Sequence, residues 1–155
     1  MTDIELQKDI VKDLRGFLKK DGIMMPLGDA FGDIKVYQQD LPVKQDEDDE
    51  ELRNYIIVII AEEKSDKKEW DVEIHFSINI EDRDKNRSGN INVLHLMNEI
   101  YTHFIKEGVV GRHCSMEEQA QKFLNLQAPY PYYEGDLVTN WKLPLPNQEG
   151  LEELV

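Results

Sequence analysis

From Trp70 to Glu81 the chain alternates without exception, with Trp70, Val72, Ile74, Phe76, Ile78 and Ile80 set against Asp71, Glu73, His75, Ser77, Asn79 and Glu81. A period of two held this long is incompatible with a helix. It calls for a strand with one face on a core and the other in water or against a polar partner. The run also exceeds the usual strand length, so one end is expected to project from the sheet as a hairpin arm. The preceding YIIVIIAEE, residues 55–63, is β-branched throughout. It reads as a strand buried on both sides or packed beneath helices.

The remaining elements follow from periodicity and punctuation. Leu6, Ile10, Val11, Leu14, Phe17 and Leu18 recur at helical spacing over residues 3–20, with Thr2 or Asp3 as the cap. IKVYQQDLP reads as a first strand stopped by Pro42, which lacks a ladder donor. After the polar loop EDRDKNRSGN, a second helix carries Ile91, Leu94, Leu96 or Met97, Ile100, Tyr101, Phe104 and Ile105 on one stripe. Asn90 or Asn92 is its expected cap and Gly108 its stop. A link, VVGRHCSMEEQ, leads to a strand, KFLNLQA, and APYPYYEGD reads as a turn. LVTNWKLPLP is the last strand, with Leu137, Thr139, Trp141 and Leu143 on one side. The order is α-β-β-β-α-β-β. It predicts a single α+β domain over residues 1–146, with a mostly antiparallel sheet of about four to five strands and both helices on one face. Residues 147–155 read as a loosely attached tail.

A length of 155 residues suits one core,. The formal net charge of -14 argues against nucleic-acid binding, because phosphates would be repelled,. Cys114 is the single cysteine, which leaves no intramolecular disulfide and points to a reducing compartment,. MTDIELQKDI lacks the order of a signal peptide, and the longest apolar run, YIIVIIA, is strand-sized,. A soluble intracellular protein is the expectation.

Few residues are spaced for chemistry. His95 and His103 stand eight apart rather than four, and His113 and Cys114 are adjacent with no second pair at zinc-like spacing,. The acids of QDEDDEE, residues 45–51, are contiguous and lack the central glycine of a calcium loop, so they read as a mobile hairpin loop,. Arg112 and His113 could lower the Cys114 thiol pKa, a thin basis for a nucleophile. Asp71-Val-Glu73-Ile-His75 resembles the acid-bearing strand of metal-dependent nucleases, with His75 in place of the usual lysine and Asp33 as the distant acid,. Exposed strand faces reproduce that spacing by accident. No phosphate-cradling glycine loop and no GxSxG follow a strand,. The expectation is therefore a protein that is not an enzyme and carries no metal and no cofactor. Tyr130, Tyr132 and Tyr133, beside Pro129 and Pro131, suit either an interface or a turn packed on its own core,.

The stretch INIEDRDKNRSGNINVLHLMNEIYTHFIKEG, followed by a late strand ending in WKLPLP, resembles the tail terminator proteins of long-tailed bacteriophages and prophages. In that family a strand passes through a polar loop into a helix of xxVLxLxxxIxxxL character. Val93, Leu94, Leu96, Met97, Ile100 and Phe104 occupy the comparable places. The resemblance covers most of residues 3–145, as an order of elements with one soft motif. It implies a small α+β subunit that forms a ring, a hexamer, at the head-proximal end of the tail tube. There it stops polymerisation and meets head-completion proteins, so its partners are itself, the tail tube protein and a head-completion protein. DNA passes through without specific binding, no membrane is involved, and no catalytic residues are implied. Such a protein works in the bacterial host cytoplasm during assembly and then in the virion tail. The acidic 45–51 loop and the extension after Pro146 depart from the smaller members. In such a ring some of Asp71, Glu73, Glu81, Asp82 and the 45–51 acids would face a lumen that does not retain DNA. Two other readings fit the acidity or the strand pattern: an inhibitor that mimics DNA, and a small metal-dependent nuclease.

Overall fold

The computed structural model describes residues 2–20, 34–42, 54–83, 89–109 and 114–145. The acidic run 45–51, Asp33, Arg112, His113 and the tail 147–155 lie outside the described residues. The chain runs α1 (Asp3–Lys20), β1 (Lys35–Gln38), β2 (Tyr55–Ser65), β3 (Trp70–Glu81), α2 (Gly89–Glu107), β4 (Ser115–Met116), β5 (Gln121–Leu124) and β6 (Tyr132–Leu143). The protein is an α+β single domain, with two helices and a mixed six-stranded sheet among the described residues.

A reciprocal cap starts α1. Thr2 Oγ1 accepts from the Glu5 amide at 3.2 Å, and Glu5 Oε2 accepts from the Thr2 amide at 3.1 Å. Two otherwise orphaned donors are thereby satisfied. The far end of α2 closes on Gly108, at φ 65°, whose amide donates to the Phe104 carbonyl. That left-handed turn costs little without a Cβ.

The sheet is ordered β1-β2-β3-β6, with β4 and β5 both pairing the far edge of β6. Among the described residues β1 pairs β2 in parallel and the other pairings are antiparallel. Register aligns the apolar sets across strands: Val36 with Ile56, Ile56 with Ile78, Phe76 with Leu137, and Val72 with Trp141. All of these reach the same face, where both helices cover them in one continuous core. Phe104 of α2 sits between Phe76 and Trp141, with ring centroids 5.7 and 5.5 Å away. Each fully buried side chain of this size contributes about 1.5–3 kcal/mol.

Glutamines end the β1–β2 pairing. Gln39, at φ 67°, directs its side-chain amide at Ile60, accepting from the amide at 2.9 Å and donating to the carbonyl at 3.2 Å. A side chain thus supplies one more rung of the ladder. Gln7 of α1, 3% exposed, donates to both Gln39 Oε1 and the Val58 carbonyl at 2.8 Å. Its burial is balanced by hydrogen bonds on each side.

Several expectations change. The strand at 70–81 has no projecting arm, because β3 pairs along its whole length with β6, and the final residues of β2 pair with its start. Of the two readings of β2, packing beneath helices holds and burial on both sides does not: Ile56 and Val58 enter the core, while Ile57 and Ile59 lie half-buried on the opposite face. Helices cover only one side. The link after α2 contains an extra two-residue strand, β4, which makes six strands. The last strand starts at Tyr132, inside the stretch expected to be a turn. Asn90 and Asn92 lie within α2, and neither side-chain oxygen accepts a hydrogen bond, so neither acts as the cap.

Candidate protein-docking face

With both helices on one side, the second face of the sheet is uncovered by any described element. Cross-strand register builds it row by row. Lys64, Asp71 and Lys142 form one row, Glu62, Glu73 and Asn140 the next, and Ile59, His75, Val138 and Gln121 a third. Ile57, Ser77, Asp136 and Phe123 follow, then Tyr55, Asn79 and Glu134, and finally Glu81 beside Tyr132.

The first two rows enclose an open depression of about 220 Å³ lined by Glu62, Lys64, Asp71, Glu73, Glu117 and Asn140. Lys142 holds it together. Its Nζ lies 3.0 Å from Glu69, 3.4 Å from Glu117 and 3.9 Å from Asp71. The hydrogen bond to Glu69 raises the Lys142 pKa, with smaller contributions from Glu117 and Asp71. Glu73 is engaged by His75 Nε2 at 3.0 Å. The three residues of the nuclease-like pattern thus share a face, but their contacts run to a lysine and to one another. Among the described residues no group of three or more His, Cys, Asp or Glu side chains is disposed to hold a metal ion.

Glu81 lies eight residues along β3 from Glu73, about 26 Å away at strand rise. Its side chain is 7% exposed and paired with Arg83 at 2.8 Å. Asp82 follows the strand end and turns to the helical layer, accepting from Asn92 Nδ2 at 2.9 Å. Its backbone amide donates to the Pro131 carbonyl. Of the acids offered as lumen candidates, Asp71 and Glu73 are half-buried on the open face, Glu81 lies at the end of the same face but is withdrawn from water, and Asp82 is tied to α2.

The tyrosines divide as well. Tyr132 is exposed on the open face, whereas Tyr133, one residue on, points to the core and packs against Gly89. A Cβ on Gly89 would fall 2.1 Å from the Tyr133 ring. Tyr130 is exposed and donates its hydroxyl to the Arg83 carbonyl at 2.8 Å. Strand alternation at Tyr132 and Tyr133 causes this split.

Between the charged ends runs an apolar band that sequence reasoning missed: Tyr37, Tyr55, Ile57, Ile59 and Phe123, with Val138 on the same side of the sheet but buried. Tyr37 meets Tyr55 edge-on at 6.3 Å, and Phe123 is exposed by half its surface. Burial raises the Tyr55 pKa, and the nearby charge of Glu134 raises it further. The alternation within YIIVIIA would have given Ile57 and Ile59 had its two faces differed in polarity. Elsewhere, His103 serves the helix–helix contact, stacked on Phe17 at 4.2 Å with Nε2 3.2 Å from Asp13. Cys114 is buried in the core.

No helix among the described residues is long and apolar enough to cross a membrane. No protein-family model and no curated protein sequence matches the chain.

Proposed function

We propose that this chain is a structural assembly subunit, a phage tail terminator that forms a ring at the head-proximal end of the tail tube, stops tube growth and joins the tail to the head. The observation that carries the reading is the uncovered sheet face, where aromatic and aliphatic side chains lie between charged rows. An amphipathic sheet surface of this kind suits contact with another protein better than contact with water alone. In this reading it works in the host cytoplasm during assembly and then in the virion, with the tail tube protein, a head-completion protein and its own copies as partners. Asp71 and Glu73 are the candidate lumen acids. Tyr132 and Tyr130 are the candidate interface tyrosines, and Tyr133 contributes as their support. Incubation with growing tail tubes, followed by electron microscopy, should give capped tubes of defined length. Tubes that elongate as they do without the protein would refute it.

The excess of acids over lysines on the open face also favours a second reading, an inhibitor occupying the basic groove of a target. That reading requires a salt-sensitive one-to-one complex and no effect on tube length.

A further inference from the structure

We infer that copies of this chain join head to tail, the basic flank of α1 on one copy docking on the acidic, aromatic flank of β5 and β6 on the next. The inference rests on the ring-forming reading above and names the two surfaces that would form the ring contact.

On α1, Lys8, Lys12, Arg15 and Lys19 are all exposed. At 100° per residue they fall on one flank of the helix with Ile4, itself 53% exposed. The direction of that flank is fixed by two contacts. Arg15 Nη2 donates to the Val36 carbonyl at 2.6 Å, which turns the basic side to β1 at one edge of the sheet. Asp13 reaches His103 of α2, which turns its own side of the helix toward α2, while Glu5 stays exposed beside the basic flank. None of Lys8, Lys12 and Lys19 is paired with an acid among the described residues. In a chain of net charge -14, a flank this basic is a local reversal of the overall sign.

The opposite edge carries the complement. Phe123 on β5 stands opposite Asp136 of β6, and Leu126 in the following turn is 75% exposed. Glu118 precedes β5, and Glu134, held by Asn125 Nδ2 at 3.1 Å, lies one register step from Asp136 on the same face. Lys122, the one lysine of β5, is turned to the helical layer and bonds Asn98 of α2. Its charge is thus directed away from the flank's acids.

The two flanks lie at opposite ends of the strand order. A surface that matches a different surface of its own copy makes a heterologous contact, which closes into a ring when the rotation permits and otherwise grows as a filament. Apolar anchors on each side, Ile4 on one and Phe123 and Leu126 on the other, supply contact area inside the charged rims.

Charge exchange tests this directly. One variant carries Lys8→Glu, Lys12→Glu and Lys19→Glu; Arg15 is left alone because of its bond to Val36. The other carries Glu118→Lys, Glu134→Lys and Asp136→Lys. Far-UV circular dichroism checks that both keep their fold, and sedimentation velocity across a concentration series reads association. The wild type should assemble, and each variant alone should bind its own copies on the order of a hundredfold more weakly, since like charges then face each other. An equimolar mixture should assemble again, because both of its contacts are complementary. A wild type that stays monomeric at every concentration, a variant that assembles alone as the wild type does, or a mixture without rescue would each overturn the contact. Tube capping is scored separately. Wild-type capping without this contact leaves the terminator reading standing, and assembly without capping removes that reading while the contact stands.

Discussion

Replacing Thr139 by valine should destabilise the protein by about 2 kcal/mol, although the two side chains have nearly the same shape. Thr139 is fully buried on β6, and its hydroxyl donates to the Ile74 carbonyl at 2.7 Å. The same oxygen accepts from the Trp141 indole at 3.0 Å. Trp141 is also fully buried, so valine would strand its N–H away from water. An orphaned buried donor costs about 1–3 kcal/mol, and the lost hydroxyl bond adds about 1 kcal/mol. Burying a methyl in place of a hydroxyl offsets part of that, which brings the balance to about 2 kcal/mol. For a chain of this length the melting temperature should fall by about 4–8 °C. Urea unfolding followed by tryptophan fluorescence and circular dichroism measures the change, with an unaltered slope as the sign of an intact fold. Trp141→Phe removes the stranded donor, so it should cost about 1 kcal/mol less in the valine background than in the wild type. A Thr139→Val variant within about 0.5 kcal/mol of wild type, or strictly additive substitutions, would refute the reasoning.

Gly135→Ala should cost about 1–3 kcal/mol, because the added Cβ would lie 2.5 Å from Met97 Cε, 2.8 Å from Val93 Cγ1 and 2.9 Å from the Phe123 carbonyl oxygen,. Methionine yields easily and backbone does not, so thermal unfolding of Met97→Ala/Gly135→Ala should still show a loss from the glycine change. Tyr55 should give up its proton above the ordinary value of 10.0 in the folded protein, chiefly through burial and then through Glu134. The unfolded chain ionises first, so this residue's contribution to stability is complete below pH 10 and fades as the pH rises through its folded value. Glu134→Gln should move its ultraviolet titration downward, and an unmoved titration would show that Glu134 exerts no field there.

How far the fold could be read from the sequence differs element by element. The β3 run was legible because its two faces differ in polarity at every step, and burial follows that pattern from Val72 to Ile80. In β2 both faces are apolar, so nothing local distinguished Ile56 and Val58 from Ile57 and Ile59. The two-residue β4 has no pattern of its own and exists only because Ser115 and Met116 meet Lys142 and Trp141 of β6. Tyr132 and Tyr133 looked alike beside the prolines, and only their place in a strand separated an exposed side chain from a core one.

The sequence by itself determined the two helices, the long central strand and the class of fold. These depend on residues a few positions apart, where backbone geometry alone sets the period. Tertiary structure decided which face stays open, that Glu81 is withdrawn while Asp71 is not, and that a basic helix flank lies across the sheet from an acidic edge. Those properties join residues such as Lys12 and Asp136, far apart along the chain. Their relative places are set by the order in which the strands pair, which no local pattern encodes.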